Sequence, residues 1–257
     1  MTVSSPLAVQ GRVIWALMLR EIHTLYGDAR LGYLWALINT GFGVCIFWLI
    51  RSFTGFRPPH GMSTVVFLVA GFTIWHIVSN TVTRSMAAVS GNRALLTFPQ
   101  VTPLDVMLAR IGVITATQIV VGTILIAVSL ALDQTPPNPD WTLLLCALGL
   151  TVSFGLAMGS LLAAFNVIFP VLEKIVPLVM RLLFFASGVF FSVRRLPPAI
   201  QKYLAWNPIL QIIELTRKGL NPNYPASPPD PIYLALAILI PLTLGLLLER
   251  YVRTYVK

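Results

Sequence analysis

Apolar residues along this chain gather in long charge-free runs separated by short polar connectors. About 20 apolar residues cross a bilayer core, so intervals without Lys, Arg, Asp or Glu mark the spans. The first lies between Arg30 and Arg51, the second over residues 62–83, the third between Arg110 and Asp133, and the sixth between Asp230 and Glu249. Residues 141–172 form an uncharged interval too long for one span and too short for two. Phe169-Pro170 ahead of Glu173-Lys174 divides it, giving a fourth span over 141–165, a tight turn, and a fifth span over 175–193. Six spans put both ends on one side.

Two stretches depart from that pattern. In residues 10–31, Trp15, Leu19, Ile22 and Tyr26 recur at helical spacing while Arg20, Glu21, Asp28 and Arg30 fall elsewhere. This predicts an amphipathic helix lying on the membrane surface. Residues 194–230 contain seven prolines and break into two short helical pieces. Pro197-Pro198 opens one that runs through Trp206; Asn207-Pro208 opens another that ends at Gly219. The second piece, 209–218, is apolar but only about ten residues long, which fits a re-entrant or interfacial segment and not a span. The expected architecture is therefore an all-α integral membrane protein in one domain. It has an interface helix in 1–31, spans 1–5 in 32–193, a hairpin in 194–230, a sixth span in 231–249 and a tail in 250–257.

The connector 90–103, between the second and third spans, carries a pattern of its own. Asn92 is a good N-cap and Pro99 a hard stop, so 93–98 has room for one and a half helical turns. Leu95 and Phe98 fall three apart, on one face. So short a helix does not hold in water alone, because nucleation costs more than its few hydrogen bonds return. It leans either on lipid headgroups or on a soluble partner.

Composition agrees with the spans: 56% of residues are hydrophobic and 11% charged, where soluble domains carry roughly a quarter charged. Mean hydropathy is +0.81. Cys45 and Cys146 each sit inside an apolar run, so neither a disulfide framework nor a metal cluster is indicated. The N-terminal stretch, with Arg12 and Arg20, lacks a cleavable apolar core and is not read as a signal peptide. With both ends inside, the inner side holds Arg12, Arg20, Arg30, Arg84, Arg93, Lys174, Arg250, Arg253 and Lys257. The outer side holds Arg51, Arg57, Arg194, Arg195, Lys202, Arg217 and Lys218. The positive-inside rule leans only slightly toward cytoplasmic ends.

Catalytic chemistry is hard to place. His23, His60 and His76 are scattered, without a second ligand at metal spacing. No Gly-Lys pair exists, so no phosphate-cradling loop and no ATPase of its own is expected. Acidic residues fall at span ends, as Asp105 and Glu173 do, which disfavours an ion-coupled transporter because such a protein binds its ion at a buried carboxylate. A membrane enzyme acting on lipid-linked sugars is disfavoured by the lack of a carboxylate or histidine cluster. The polar residues left within spans are unreactive. Thr73, His76, Asn80 and Thr83 share a stripe of the second span, which either hydrogen-bonds a neighbour or faces a wet conduit. Gly155, Gly159 and Ala163 form a small-residue ridge in the fourth span, explained by close helix packing. Arg181, roughly 10 Å inside the fifth span, either snorkels to the headgroups or lines a channel.

Several stretches together resemble the permease subunits that export capsular polysaccharide, a branch of the type 2 ABC exporters. They are Leu19-Arg20-Glu21-Ile22, then Arg30-Leu31-Gly32-Tyr33-Leu34-Trp35-Ala36, Pro103-Leu104-Asp105 with Ala109-Arg110, Phe169-Pro170 with Lys174, and Trp206-Asn207-Pro208 followed by Glu214-Leu215. Their order and spacing cover nearly the whole chain. Related O-antigen and teichoic-acid permeases, the alternative subclass, carry a proline where this chain has Asn39-Thr40.

The resemblance implies a homodimer with a conduit at its two-fold interface and two copies of a separate nucleotide-binding ATPase subunit, which holds ATP and Mg; no cofactor is expected on this chain. It further implies periplasmic and outer-membrane export machinery, a polysaccharide or glycolipid substrate, a bacterial inner-membrane location with both termini cytoplasmic, and no nucleic-acid partner. Arg20 and Glu21 of the interface helix, with Asn92, Arg93, Leu95, Leu96 and Phe98 of the connector, then become ATPase-coupling residues. Candidates for the translocation path are Thr73, His76, Asn80, Thr83, Arg84, Phe42, Trp48, Arg181, Phe184 and Phe185. Phe190 and Phe191 are further aromatic candidates, since exposed rings suit a sugar conduit. Exit and gate candidates are Arg51, Arg194, Arg195, Lys202, Tyr203 and Trp206, the basic ones placed to guide an acidic polymer outward.

Replacing Leu95 and Phe98 together with Asp is expected to leave membrane insertion intact while abolishing co-purification of an ATPase. Retained ATPase binding by the double variant would rule out this docking face.

Overall fold

The computed structural model describes residues 6–26, 32–54, 62–90, 101–132 and 138–255. Among them the chain is helical throughout: α1 (Pro6–Tyr26), α2 (Gly32–Thr54), α3 (Thr64–Ser90), α4 (Pro103–Leu132), α5 (Trp141–Ile168), α6 (Leu172–Ala186), α7 (Pro198–Leu204), α8 (Pro208–Leu220) and α9 (Pro231–Tyr255). Five of these, α2 to α5 and α9, are long and apolar enough to cross a membrane. The fifth expected span takes a different form. α6 holds 15 residues, about 22 Å at 1.5 Å per residue, and the chain then runs through a turn at 187–192 into a single 3-10 turn at Val193–Arg195.

Local sequence explains most boundaries. Asp140 caps α5, its carboxylate accepting from the N–H groups of Thr142 and Leu143 at 3.0 and 3.2 Å. Asn207 caps α8 in the same way, at Ile209 and Leu210, with Pro208 in the first turn, where its missing N–H costs nothing. α4 starts earlier than the charge pattern implies: Asp105 in its first turn accepts from Thr102 N and Oγ1, at 2.9 and 2.8 Å.

The bundle is built on α3 and α5. α3 is the most enclosed of the long helices, α2 and α9 the least, and α5 packs mainly between α3 and α9. Close approach is set by the small-residue ridge. A Cβ on Gly159 would lie 2.8 Å from Ser85 Cβ, and one on Gly155 3.1 Å from Thr81, so the two backbones meet across these positions. The opposite face of α5 meets α9 at Gly245, where a Cβ would come within 2.7 Å of Leu161 N. The core is one apolar cluster running from α3 through α5 to α8, including Phe67, Val78, Phe154, Ile212 and Ile213.

The amphipathic N-terminal helix forms, and a second face of it, distinct from the Trp15–Leu19 stripe, packs on the bundle. α1 lies against α4 through Val13, Leu17 and Met18, grouped with Val106 and Met107, and buries Glu21. Trp15 and Leu19 point away and are exposed. The reason is that Arg110 of α4 neutralises Glu21, so a mixed face can turn inward and leave apolar residues outside.

Gly245→Ala is expected to push α9 off the α5 backbone and destabilise the fold by about 1–3 kcal/mol, the usual cost of overpacking. Gly149→Ala, inside α5 with open space around it, is expected to stabilise by about 0.5–1 kcal/mol, the usual gain of replacing an unstrained helical glycine. Denaturant unfolding in detergent micelles compares the two.

Candidate functional site

α8 is buried along nearly its whole length, yet Gln211, Glu214 and Arg217 recur every three residues along it. Arg217 is 0% exposed and Glu214 1%. A bare charge in such surroundings costs several kcal/mol, and the local structure answers each one. Arg217 Nη1 lies 3.2 Å from Glu214 Oε1 and donates to Phe191 O at 3.1 Å, while Nη2 donates to Val189 O at 2.7 Å and Nε to Phe67 O at 3.4 Å. The guanidinium carbon sits 3.5 Å from the centre of the Phe67 ring, a cation–π contact. Glu214 in turn accepts from Tyr224 Oη at 2.8 Å and from Ser227 N at 3.4 Å. Burial, the larger cause, pushes the Tyr224 phenol up to about 12, so it stays protonated and able to donate.

The carbonyls that receive Arg217 come from the turn after α6. Gly188 adopts φ +69° there, in the left-handed region that favours glycine, and the turn carries residues 189–191 across α8. Arg51, at the end of α2, joins the same assembly. Its Nη2 donates to Phe190 O at 2.8 Å and its guanidinium carbon lies 4.6 Å from the centre of the Phe67 ring. Four segments, α2, α3, the 187–192 turn and α8, are thus held by two arginines and one phenyl ring. Gly71 of α3 fits beneath: a Cβ there would lie 2.7 Å from Val189 O and 3.1 Å from Arg217 Nη2.

Beside this lies a cluster of rings. Phe47 stacks on Phe190 at 5.2 Å with an interplanar angle of 9°, and Phe184 contacts Phe72 and Trp75 at 5.7 and 5.5 Å. Phe185 and Phe191 both touch Phe190. Four of the aromatic candidates, Phe184, Phe185, Phe190 and Phe191, are therefore neighbours, and Phe47, Phe72 and Trp75 join them from α2 and α3. Phe42 and Trp48 lie apart, exposed on α2, and Arg181 is exposed on α6. Along α3, Thr73 faces Gly122 of α4, His76 lies 6.0 Å from the Phe72 ring, and Thr83 donates to the carbonyls of Ser79 and Asn80 in its own helix.

On the outer side as assigned above, the cations divide. Arg194, Lys202, Tyr203 and Trp206 are exposed, as is Arg195. Arg51, only 7% exposed, and Arg217 are withdrawn into the protein, so they leave the surface set that the sequence counted. At the opposite end, Glu21 meets Arg110 at 2.8 Å and Arg20 at 3.7 Å, and Arg110 Nη1 also donates to Arg84 O at 2.6 Å. Asp105 accepts from Gln10 Nε2 of α1. Asn92, Arg93, Leu95, Leu96 and Phe98 lie outside the described residues.

Asp105 and Glu173 lie in the first turns of α4 and α6, at helix ends as expected, but the expected lack of buried carboxylates is corrected here. Glu21, Asp105 and Glu214 are each buried, at 2%, 1% and 1% exposure, because each meets a cation or several N–H and O–H donors. Their burial removes the sequence argument against ion coupling; the class is decided by kinship instead. Residues 12–221 match the model of the ABC-2 type transporter membrane family. The chain belongs to that family. It is 29% identical to the polysialic acid transport protein KpsM of Escherichia coli over 94% of each chain. It is 28% identical to the capsule polysaccharide export inner-membrane protein CtrC of Neisseria meningitidis, over 93% of this chain and 91% of that one. With the capsule polysaccharide export inner-membrane protein BexB of Haemophilus influenzae it shares 30% identity over 85% and 82%.

The missed residue with the largest role is Arg217. The signal was a Glu214–Arg217 pair at i, i+3 in a short helix rich in Ile and Leu, which on a surface would be an ordinary ion pair.

Glu214→Gln is expected to destabilise by about 3–5 kcal/mol, because it strands a buried guanidinium. Arg217→Lys is expected to be comparably damaging, since an ammonium cannot span three carbonyls and a carboxylate. Combined with Arg217→Met, Glu214→Gln is expected to cost less than the sum of the single changes. Thermal unfolding in detergent, with exposed Lys218→Ala as a neutral control, measures all of them.

Proposed function

We propose that this chain is the membrane subunit of an ATP-driven exporter that moves an acidic, lipid-linked capsular polysaccharide across the bacterial inner membrane. The observation that carries the reading is likeness over nearly the full length to proteins named for capsule polysaccharide export, in a helical chain with several membrane-length helices. In this reading two copies of the chain pair with two ATPase subunits, which hold ATP and Mg. Both termini are cytoplasmic, and periplasmic and outer-membrane machinery receives the polymer.

Geometry supports a division of labour. The end of the bundle with α1 and Glu21–Arg110 faces the ATPase, so force on α1 reaches α4 through their apolar contact, the Gln10–Asp105 bond and the Glu21–Arg110 pair, and reaches the end of α3 through Arg110 and Arg84 O. The far end, with α7, α8 and the 187–195 turn, forms the gate. Exposed Arg194, Arg195 and Lys202 there supply positive charge toward a leaving polyanion, an interaction that weakens with salt. Thr73, His76, Asn80, Thr83, Arg84, Arg181, Phe184 and Phe185 remain the path candidates. Phe42 and Trp48 join them from the exposed face of α2, which a second copy would cover.

The test is reconstitution with its cognate ATPase. Capsular glycolipid is expected to raise ATP hydrolysis several-fold and to appear in the vesicle lumen of inside-out proteoliposomes. Stimulation by O-antigen glycolipid alone, or hydrolysis indifferent to both, would overturn the capsule reading.

A further inference from the structure

A cleft of about 400 Å³ opens between α7, the first turns of α8, residues 227–230 and the start of α9. That volume lies within the roughly 300–1,000 Å³ usual for small-molecule sites. Its floor is rigid and chemically spent. Gln211 Nε2 donates to Ala205 O at 2.7 Å and its Oε1 accepts from Asp230 N at 2.9 Å, while Glu214 is engaged by Arg217, Tyr224 and Ser227. Its rim holds different groups: Lys202, Trp206, Asp230 and Tyr233.

Trp206 is 70% exposed although its backbone is fixed, since Tyr233 Oη donates to its carbonyl and the two rings meet edge-on at 5.6 Å. Asp230 uses Oδ1 to cap Ile232 and Tyr233 at 3.1 Å each, which holds the carboxylate at the rim. The cleft therefore offers an ammonium, a carboxylate and a positioned indole around a preformed hollow. We propose that it binds one acidic glycosyl unit, with the sugar ring against Trp206, its hydroxyls toward Asp230 and its carboxylate toward Lys202. An indole gives the C–H face of a sugar an apolar surface, and a carboxylate accepts from hydroxyls. An anionic phospholipid headgroup shares the anion and hydroxyl chemistry but lacks the sugar C–H face that the Trp206 indole would cover, so dependence on Trp206 separates the two. The inference deepens the export reading and rests on it: this is where a unit of the polymer pauses after leaving the gate.

The probe is a tetrasaccharide of alternating glucuronic acid and N-acetylglucosamine, with uncharged maltotetraose as comparison. Each is titrated by saturation-transfer NMR against the full chain in phosphatidylcholine nanodiscs. The acidic probe is expected to bind at least tenfold more tightly than maltotetraose. Trp206→Ala and Lys202→Ala are each expected to weaken it about tenfold, and Lys202→Arg to restore it. Both side chains are exposed, so unchanged unfolding midpoints are expected and separate lost binding from lost folding. Absence of acidic-probe binding, equal affinity in the alanine variants, or competition by phosphatidylglycerol nanodiscs that Trp206→Ala abolishes would each overturn the site. Glycolipid-stimulated ATP hydrolysis is measured on the same variants. Stimulation with no cleft binding removes this site and leaves the export reading standing, whereas cleft binding with no stimulation removes the export reading.

Discussion

One buried cation organises the far end of this molecule. Arg217 cannot lose its charge, because a guanidinium stays protonated in any protein environment, so the fold has to bring acceptors to it. It brings the carbonyls of Phe67, Val189 and Phe191, the Glu214 carboxylate and the face of Phe67. Backbone carbonyls are the informative partners. A carboxylate alone would tie α8 to itself, since Glu214 lies one turn away, whereas carbonyls on α3 and on the turn after α6 tie α8 to the rest of the bundle. The irregular backbone at 187–192 is held in the same way: the carbonyls of Val189, Phe190 and Phe191 accept from the two arginines, so this buried non-helical turn keeps partners for them.

A short buried helix can occupy that position only if its long neighbours are spaced correctly. The Gly155–Gly159 ridge lets α5 approach α3 to backbone contact at Thr81 and Ser85, while toward the other end of α5 Gly219 of α8 sits against Leu144. Small residues are used where helices close together and larger ones, Phe67, Ile212 and Ile213, where α8 enters. In lipid, where apolar side chains gain little by leaving one oily neighbour for another, such shape fitting and the polar network carry the specificity. The peripheral helices give much of their surface to the outside. α2 turns Trp35, Ile38, Phe42 and Phe53 outward, and α6 turns out Leu178, Leu182 and Phe185.

Legibility in the sequence followed the range of each interaction. The start of α8 was readable because Asn207 and Pro208 act within a turn of themselves, and the structure places the cap there; the helix runs through Gly219 to Leu220, so that glycine serves close packing on Leu144 and not as the stop expected of it. The glycine ridge was readable because its meaning depends on helix period alone. Arg217 and Arg51 were not. Their partners lie 150 and 139 residues away in sequence, so both were counted as outer surface charge. The face of α1 that packs on α4 was not legible for the same reason: Glu21 is buried only because Arg110, far along the chain, stands opposite. α6 was expected to run as one span because its residues are apolar through Val193, but the left-handed Gly188 ends the helix earlier.

Charged groups tie helices together at both ends of the bundle. At the α1 end, Glu21 meets Arg110 and Arg20, Arg110 also donates to Arg84 O, and Gln10 donates to Asp105, so the charged groups there tie α1 to α4 and to the end of α3. At the α8 end, each charged group is held by several partners from separate elements, and moving one demands moving four segments together. A helix anchored in that way transmits displacement as a unit and does not bend. Rearrangement of the far end would then pass through α3, the one long helix that touches Arg217 at its start through Phe67 and Arg110 near its finish through Arg84. α3 is also the most enclosed of the long helices. The stiffest path between the two ends therefore runs along its backbone, with the polar stripe of Thr73, His76 and Asn80 lying between the two anchored ends.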